Sequence, residues 1–409
     1  MRVATMRRAD RWLGVPACFA LTLVRRLVDR DRSGTGAPHR ILFIKLAEQG
    51  STVLASQAIR RAIAKVGAGN VYFLAFEENR HVLDAMALIP ERNVVTIRAS
   101  SLAEAVSSAG RAIARLRRER IDTAIDLEFF ARSSAALTYL SGARYRVGFH
   151  PYAGEASYRG DLMTHRLSFN PQLHASQTFE TLVAVLDQPP ETLPALDFRP
   201  RLEDQTPAQF TARGEEIEQM RRLLDEATGG RTGTPMILLN ANASDLVPLR
   251  RWPVERYVQL ARQLLARYSA LTVVFTGAPQ EAESAGRLAT AVGSNRAISL
   301  AGRTTIRQLL ILYGLADVLV TNDSGPAHFG ALTSIDVVTL FGPETPALFR
   351  ALTPRSHVMW SGIACSPCVN AYNDRLSACT NNICMQQITV DDVFERVCRV
   401  FESRQARLS

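Results

Sequence analysis

Residues 44–59 read IKLAEQGSTVLASQAI, an apolar run that gives way to a helical pattern at Gly50, with Lys45 and Glu48 standing at the break. Chains usually place small residues there. A charged pair in that position is either proton-transfer and anion-binding machinery or, more plainly, a surface ion pair closing a turn. A second constellation is sharper. In residues 318–332, VLVTNDSGPAHFGAL, a hydrophobic strand ends at Asn322, and Asp323 and Ser324 are suited to cap the helix that follows. Gly325 lets backbone approach a ligand, and Pro326 fits a first helical turn. Free N–H groups at such a helix start attract anions, a diphosphate above all, and His328 adds a hydrogen bond or a cation. The alternative is a capped helix with a satisfied histidine.

Two weaker sites repeat the strand-then-loop pattern. NASDLVPLRRWP follows the run MILLNA and supplies Ser244 and Asp245, then Arg250 and Arg251 ahead of a helix opening at Pro253. Arginine suits bidentate phosphate recognition, while Trp252 reads equally well as core. In VVFTGAPQEAESA, Glu281 and Glu283 fall in a first helical turn, where a carboxylate meets ribose hydroxyls or complements the helix dipole. Near the C-terminus Cys365, Cys368, Cys379 and Cys384 have the spacing C-x2-C-x10-C-x4-C. Four thiolates in one short loop predict a structural zinc or iron centre, with free thiols or stress-formed disulfides as the alternative.

The elements that must position these residues alternate. From Ile41 onward, short apolar runs (ILFIKL, VYFLAF, NVVTI, DTAIDLE) alternate with helical stretches, and the alternation restarts at MILLNA. That pattern predicts an α/β protein with two doubly wound, Rossmann-like domains, each a parallel sheet covered on both faces, facing one another across a cleft. The expected division is a basic amphipathic segment over 1–37, a first domain over 38–188, a proline- and charge-rich linker over 189–232, and a second domain over 233–409.

Composition bounds the function. With 47% apolar and 21% charged residues the chain is an ordinary globular protein rather than a disordered one. The net charge of +9 comes mainly from arginine, much of it near the N-terminus, and there is no zinc-finger spacing or aromatic-interleaved basic patch. An anionic membrane or a phosphorylated substrate is therefore the expected partner rather than nucleic acid. The apolar run from Trp12 to Val24, flanked by arginines, is too short to span a bilayer and lacks a small-residue cleavage site. It reads as an interfacial helix, with Trp12 and Phe19 at the acyl boundary, or as a helix docked on its own protein or a partner. A cytoplasmic location, peripheral on the inner face of the membrane, follows from that reading.

Taken together, RRWPVERYVQLARQL, TGAPQEAESA, LAGRTTIRQLLILYGLADVLVTNDSGPAHFGAL and TLFGPETP resemble the nucleotide-sugar half of glycosyltransferase family 9, the bacterial heptosyltransferases of lipopolysaccharide cores. ILFIKLAEQGSTVLASQAI, AIDLEFFARSSAALTYLSGARYRVGF and His174 are similar to its first half. The resemblance implies a GT-B architecture, with the acceptor on the first domain and a nucleotide-diphosphate sugar, ADP-heptose in particular, on the second. Transfer would invert the anomeric centre without a catalytic divalent metal. By position, Asp323, Ser324, Gly325 and His328 would hold the diphosphate, Arg250 or Arg251 would neutralise it, and Glu281 or Glu283 would meet the ribose. The acceptor would be a lipid-linked or core oligosaccharide. The family usually places an aspartate base directly after the first glycine, and here that position is Ser51. Glu48, one turn earlier, then becomes the candidate base, with Lys45 stabilising the leaving diphosphate or keeping Glu48 ionised, and Asp126, with Glu128 behind it, in reserve. A nucleotide-sugar epimerase and a non-catalytic saccharide- or nucleotide-binding protein are the other classes compatible with such a fold.

Overall fold

The computed structural model describes residues 3–29, 37–231, 234–243 and 247–408, and they form two compact units. The first comprises residues 1–208 together with 370–375; the second comprises 209–369 and 376–409.

The first unit opens with helices α1 (Val3–Trp12) and α2 (Gly14–Val28). Strands β1 (Ile41–Ile44), β2 (Val71–Phe76), β3 (Val94–Ile97), β4 (Thr123–Asp126), β5 (Tyr145–Phe149) and β6 (His165–Leu167) form one sheet in the order β3-β2-β1-β4-β5-β6. Every pairing is parallel. The inner strands are apolar runs buried on both faces, as a sheet covered by helices requires. Among the covering helices are α3 (Gln49–Leu54), α4 (Ser56–Val66), α5 (Leu102–Arg118), α6 (Arg132–Leu140) and α7 (Ala175–Ala184). Ser101 caps α5 by accepting the N–H of Glu104.

The second unit repeats the plan with α8 (Gly214–Thr228), β7 (Met236–Asn240), α9 (Val254–Arg267), β8 (Thr272–Phe275), α10 (Ala282–Val292) and β9 (Ala297–Ser299). Then come α11 (Ile306–Leu315), β10 (Val318–Asn322), α12 (Gly325–Gly330), β11 (Asp336–Phe341), β12 (Ser356–Trp360) and the long α13 (Val390–Leu408). Its sheet runs β12-β11-β10-β7-β8-β9, again all parallel. Both orders are that of a doubly wound Rossmann-like sheet, in which the chain reverses direction of travel between β1 and β4 and between β7 and β10. Crevices beyond the carboxyl ends of those strands are where such sheets bind ligands, and the candidate residues follow β1, β4, β7 and β10.

The proline-rich stretch expected as a linker over 189–232 is not a separate piece. Its first part is pinned to the first unit: Gln205 donates to Glu180 at 2.6 Å, Ala208 N–H donates to Ser56 at 3.1 Å, and Arg60 donates to the carbonyls of Thr206 and Pro207. Its latter part supplies α8, whose Glu216 pairs with Arg307 at 2.6 Å in the second unit. Proline and charge here mark an extended segment tied down through its carbonyls. Trp252 is core: it is fully buried, donates its ring N–H to the Ile388 carbonyl at 2.8 Å and meets Tyr257 edge-on.

Candidate functional site

At the switch point of the first unit, β1 runs directly into Lys45. The ammonium is completely buried and bonds two carboxylates, Glu48 at 2.9 Å and Glu128 at 2.7 Å. Glu128 follows β4, and its second oxygen accepts the N–H groups of Leu46 and Ala47 at 2.8 and 3.1 Å. Ser51 donates its hydroxyl to Glu48 at 3.2 Å, and Arg375 pairs with the other Glu48 oxygen. Glu48 takes this place with φ +68°, a left-handed conformation that costs a non-glycine residue about 1–3 kcal/mol and persists where the surroundings over-determine it. The result is a carboxylate that stays partly accessible, at 18% side-chain exposure, while two cations and a hydroxyl fix its orientation.

Of the two roles expected for Lys45 the geometry suits the second, pairing with Glu48, while Asp126 is not placed as a reserve base. Lys45 is sealed between two carboxylates, and burial lowers its pKa with Glu128 opposing that shift. It positions Glu48 and Glu128 instead of reaching a leaving group. Asp126 is equally buried: it pairs with Arg159, accepts the Ser134 hydroxyl at 2.9 Å and accepts the Glu128 N–H at 3.0 Å. Burial raises its pKa and Arg159 opposes it. Asp126 therefore holds the β4 end in shape and is closed to a substrate hydroxyl.

Arg375 was not visible as a site residue in the sequence, because it lies in the cysteine-rich region far along the chain. Residues 370–375 belong to the first unit, where Tyr372 stacks on Phe130 and meets Phe169 edge-on, and its hydroxyl donates to the Phe169 carbonyl at 2.8 Å. This aromatic seat brings Arg375 over the Phe129 ring and onto Glu48. Burial pulls the Arg375 guanidinium down to about 10, and Arg7 adds to the shift.

The expected metal centre is not assembled. Among the described residues no group of three or more His, Cys, Asp or Glu side chains is placed to hold a metal ion. Cys365 and Cys379 are exposed, the Cys379 thiol donates to the Asn381 carbonyl, and Cys368 accepts from the Ser377 hydroxyl at 3.3 Å. Cys384 is buried beside Gly342, and burial raises its pKa. The four thiols differ in exposure, and Cys368, Cys379 and Cys365 lie near enough to Cys384 to reinforce its shift. The N–H groups of Cys368 and Val369 both donate to the Pro343 carbonyl.

In the second unit, Asn322 closes β10 and ties the switch point together. Its side-chain Oδ1 accepts the main-chain N–H of Trp252 and the Tyr257 hydroxyl, and its side-chain amide donates to the Ala241 and Asn242 carbonyls. Asp323 comes next, buried, with its carboxylate 3.3 Å from Arg250 Nε. The same guanidinium reaches Glu344 at 2.6 Å. Glu344, in the loop after β11, is the residue that sequence reasoning passed over. GPET directly beyond the carboxyl end of a strand beside β10 was the available signal. It is only 1% exposed, and burial pushes its carboxyl up to about 7, with Arg250 opposing and Asp323 reinforcing the shift. Burial raises Asp323 as well. One guanidinium thus serves two desolvated carboxylates.

The remaining assignments divide. Ser324 makes no side-chain cap on α12; its hydroxyl donates to the Asn322 carbonyl at 3.2 Å, so the expected capping role fails. Gly325 packs closely, since a Cβ there would lie 3.3 Å from the Phe329 ring, a tight contact. His328 is buried on α12. Of the two arginines, Arg250 joins the cluster, whereas Arg251 is exposed and donates to the Ala243 carbonyl. Glu281 turns back to accept the Ala278 N–H at 2.7 Å beside Gly277 and Asn242, at the end of β8. Glu283 is 85% exposed and pairs with Arg287 on the helix surface. Ser244 and Asp245 lie outside the described residues.

The profile of glycosyltransferase family 9 (heptosyltransferase) matches residues 109–377. Lipopolysaccharide heptosyltransferase 2 of Salmonella typhimurium is 32% identical over 115 residues, 27% of this chain and 32% of that one. Lipooligosaccharide heptosyltransferase 2 of Haemophilus influenzae is 25% identical over 250 residues, 59% and 66% of the two chains. The first of these relatives is thus matched over about a third of its own length. Among solved structures, ADP-heptose lipopolysaccharide heptosyltransferase II of E. coli superposes with a TM-score of 0.66 at 20% identity, covering 90% of this chain and 99% of that one. Two parallel six-stranded Rossmann-like units of the GT-B class, with a family profile spanning more than half of the sequence, lead to one assignment: the chain belongs to glycosyltransferase family 9.

Proposed function

We propose that this chain is an inverting glycosyltransferase that moves a heptosyl group from ADP-heptose to a lipopolysaccharide-core saccharide. The observation that carries the reading is Glu48: although Ser51 stands where the family usually has its aspartate, a carboxylate is held one turn earlier, partly accessible and bonded to that same serine. The acceptor hydroxyl gives its proton to Glu48 as its oxygen bonds to the anomeric carbon. The bond from that carbon to the diphosphate oxygen breaks, and ADP leaves with the electron pair. Lys45, Arg375 and Ser51 keep Glu48 ionised and aimed. In the second unit Arg250, with Asp323 and Glu344 beside it, receives the diphosphate, and Glu281 is the nearer of the two glutamates for the ribose. Because the acceptor is lipid-borne, the enzyme works at the inner face of the cytoplasmic membrane.

Incubation with ADP-heptose and a heptose-deficient core acceptor tests this. ADP release that requires the acceptor, with a matching mass gain on the saccharide, is expected. Donor turnover without an acceptor, or no turnover with any nucleotide sugar, would refute it.

A further inference from the structure

Helix α2 is built inside out. Its face toward the protein is mostly small or polar, with Cys18 and Leu21 joining a small apolar cluster around Ala135, Leu162 and Met163. Gly14 lies against the Arg132 side chain, where a Cβ would sit 2.7 Å from that of Arg132. Buried Cys18 and Thr22 pack beside Gly160, and the Thr22 hydroxyl accepts the Asp161 N–H at 2.9 Å. Arg25 pairs with Asp161 at 2.6 Å, and just past the helix Asp29 pairs with buried Arg146 at 3.0 Å. The opposite face is apolar and bare: Val15, Phe19, Leu23, Leu27 and Val28 are exposed, Leu27 by 72%, and Trp12 at the end of α1 is exposed by 75%. Surface helices of soluble proteins have the reverse arrangement, and a contiguous exposed apolar stripe of this kind marks an interaction surface.

Charge selects the occupant. The exposed cations Arg8, Arg11 and Arg26 flank the stripe. The only acids in residues 3–29 are Asp10 and Asp29, and both are already ion-paired, Asp10 to Arg132 and Asp29 to Arg146. A second copy of this chain would bring those arginines against their own counterparts, whereas anionic headgroups complement them. At 15 residues α2 is about 22 Å long, short of the ~30 Å hydrocarbon core, and no described helix is long and apolar enough to cross a membrane.

We propose that α2 is a monotopic anchor that lies in the interface of an anionic bilayer with Trp12, Phe19, Leu23 and Leu27 immersed, while its polar face holds the first unit. The first unit is then oriented by the anchor. Asp10 of α1 accepts the N–H groups of Arg132 and Ser133 at the start of α6, and α6 carries the Ser134 that bonds Asp126 beside Glu128. The anchor is independent of the transferase reading and stands or falls by its own test.

The test is flotation of the full chain with vesicles of phosphatidylcholine alone and of phosphatidylcholine with phosphatidylglycerol. Binding is expected with the anionic vesicles and is expected to weaken as salt rises. The triple variant Phe19→Glu, Leu23→Glu, Leu27→Glu should bind roughly 100-fold or more weakly with an unchanged melting temperature, because the three side chains touch solvent rather than core. Failure of the wild type to float with either vesicle, or full binding by the triple variant, overturns the proposal. So does a wild-type dimer in light scattering that the triple variant abolishes, since the stripe would then be a protein interface.

Discussion

On the proposed donor site Glu344 should make donor binding depend on pH, and the sign and size of the effect follow from its surroundings. The unliganded cluster places two buried carboxylates on one guanidinium, with the Glu344 carboxyl pushed up to about 7. A diphosphate arriving at Arg250 adds negative charge beside Glu344 and raises its pKa further, so binding takes up a proton. Affinity must then fall as pH rises above about 7. If only the protonated form is competent, the competent fraction is about one in eleven at pH 8 and one in a hundred at pH 9, so the apparent dissociation constant rises about 10-fold and 100-fold. Titration calorimetry with an ADP-sugar is the assay, because its esterified diphosphate, unlike ADP, has no proton to lose over this range. Buffers of different ionisation enthalpy report the proton count directly. Glu344→Gln should bind with a flat pH profile and take up no proton. The same slope in Glu344→Gln, or wild-type affinity that rises with pH, would refute the reasoning.

Other outcomes follow from the same geometry. The folded-state pKa of Glu344 lies above its ordinary 4.5, so the stability that its protonated form contributes is full below that value and lost as pH rises through about 7. Thermal melts should show a smaller fall across that window for Glu344→Gln than for wild type. Asp126→Asn leaves Arg159 buried without its counter-ion and should cost about 3–5 kcal/mol in denaturant unfolding; a loss below about 1 kcal/mol would mean that the pair is not structural. Lys45→Met strips Glu48 and Glu128 of their shared cation and should abolish transfer while leaving nucleotide affinity at the second unit within about 2-fold, measured by calorimetry.

The parallel α/β architecture was legible because its strands are continuous apolar runs, ILFI and VLVTN among them, separated by helices of ten or more residues. The candidate residues were legible wherever the side chain follows its own strand, as Glu48, Arg250 and Asp323 do. It was not legible where function depends on contacts between distant segments. Arg375 reaches Glu48 only because Tyr372 is seated among phenylalanines from several elements, and Glu344 gains its altered proton affinity from burial that no local pattern announces. Asp126 and Lys45 illustrate the converse. Their position after a strand suggested reactivity, yet complete burial against Arg159 and against two glutamates makes them scaffolding. The cysteine spacing brought four thiols into one region, but among the described residues they do not form a group placed to hold a metal ion. Of the two readings of the N-terminal run, the structure shows α2 docked on the protein by one face, and its other face is exposed.

The central claim is that Glu48 is the base, and single-turnover transfer by Glu48→Gln tests it most directly, with ADP-heptose affinity measured in parallel. Glutamine keeps the size of the side chain and a hydrogen bond to Ser51 but cannot take the acceptor proton. The account predicts donor affinity within about 2-fold of wild type and a transfer rate about 10²- to 10⁴-fold lower. Transfer at the wild-type rate would contradict it and place the base elsewhere.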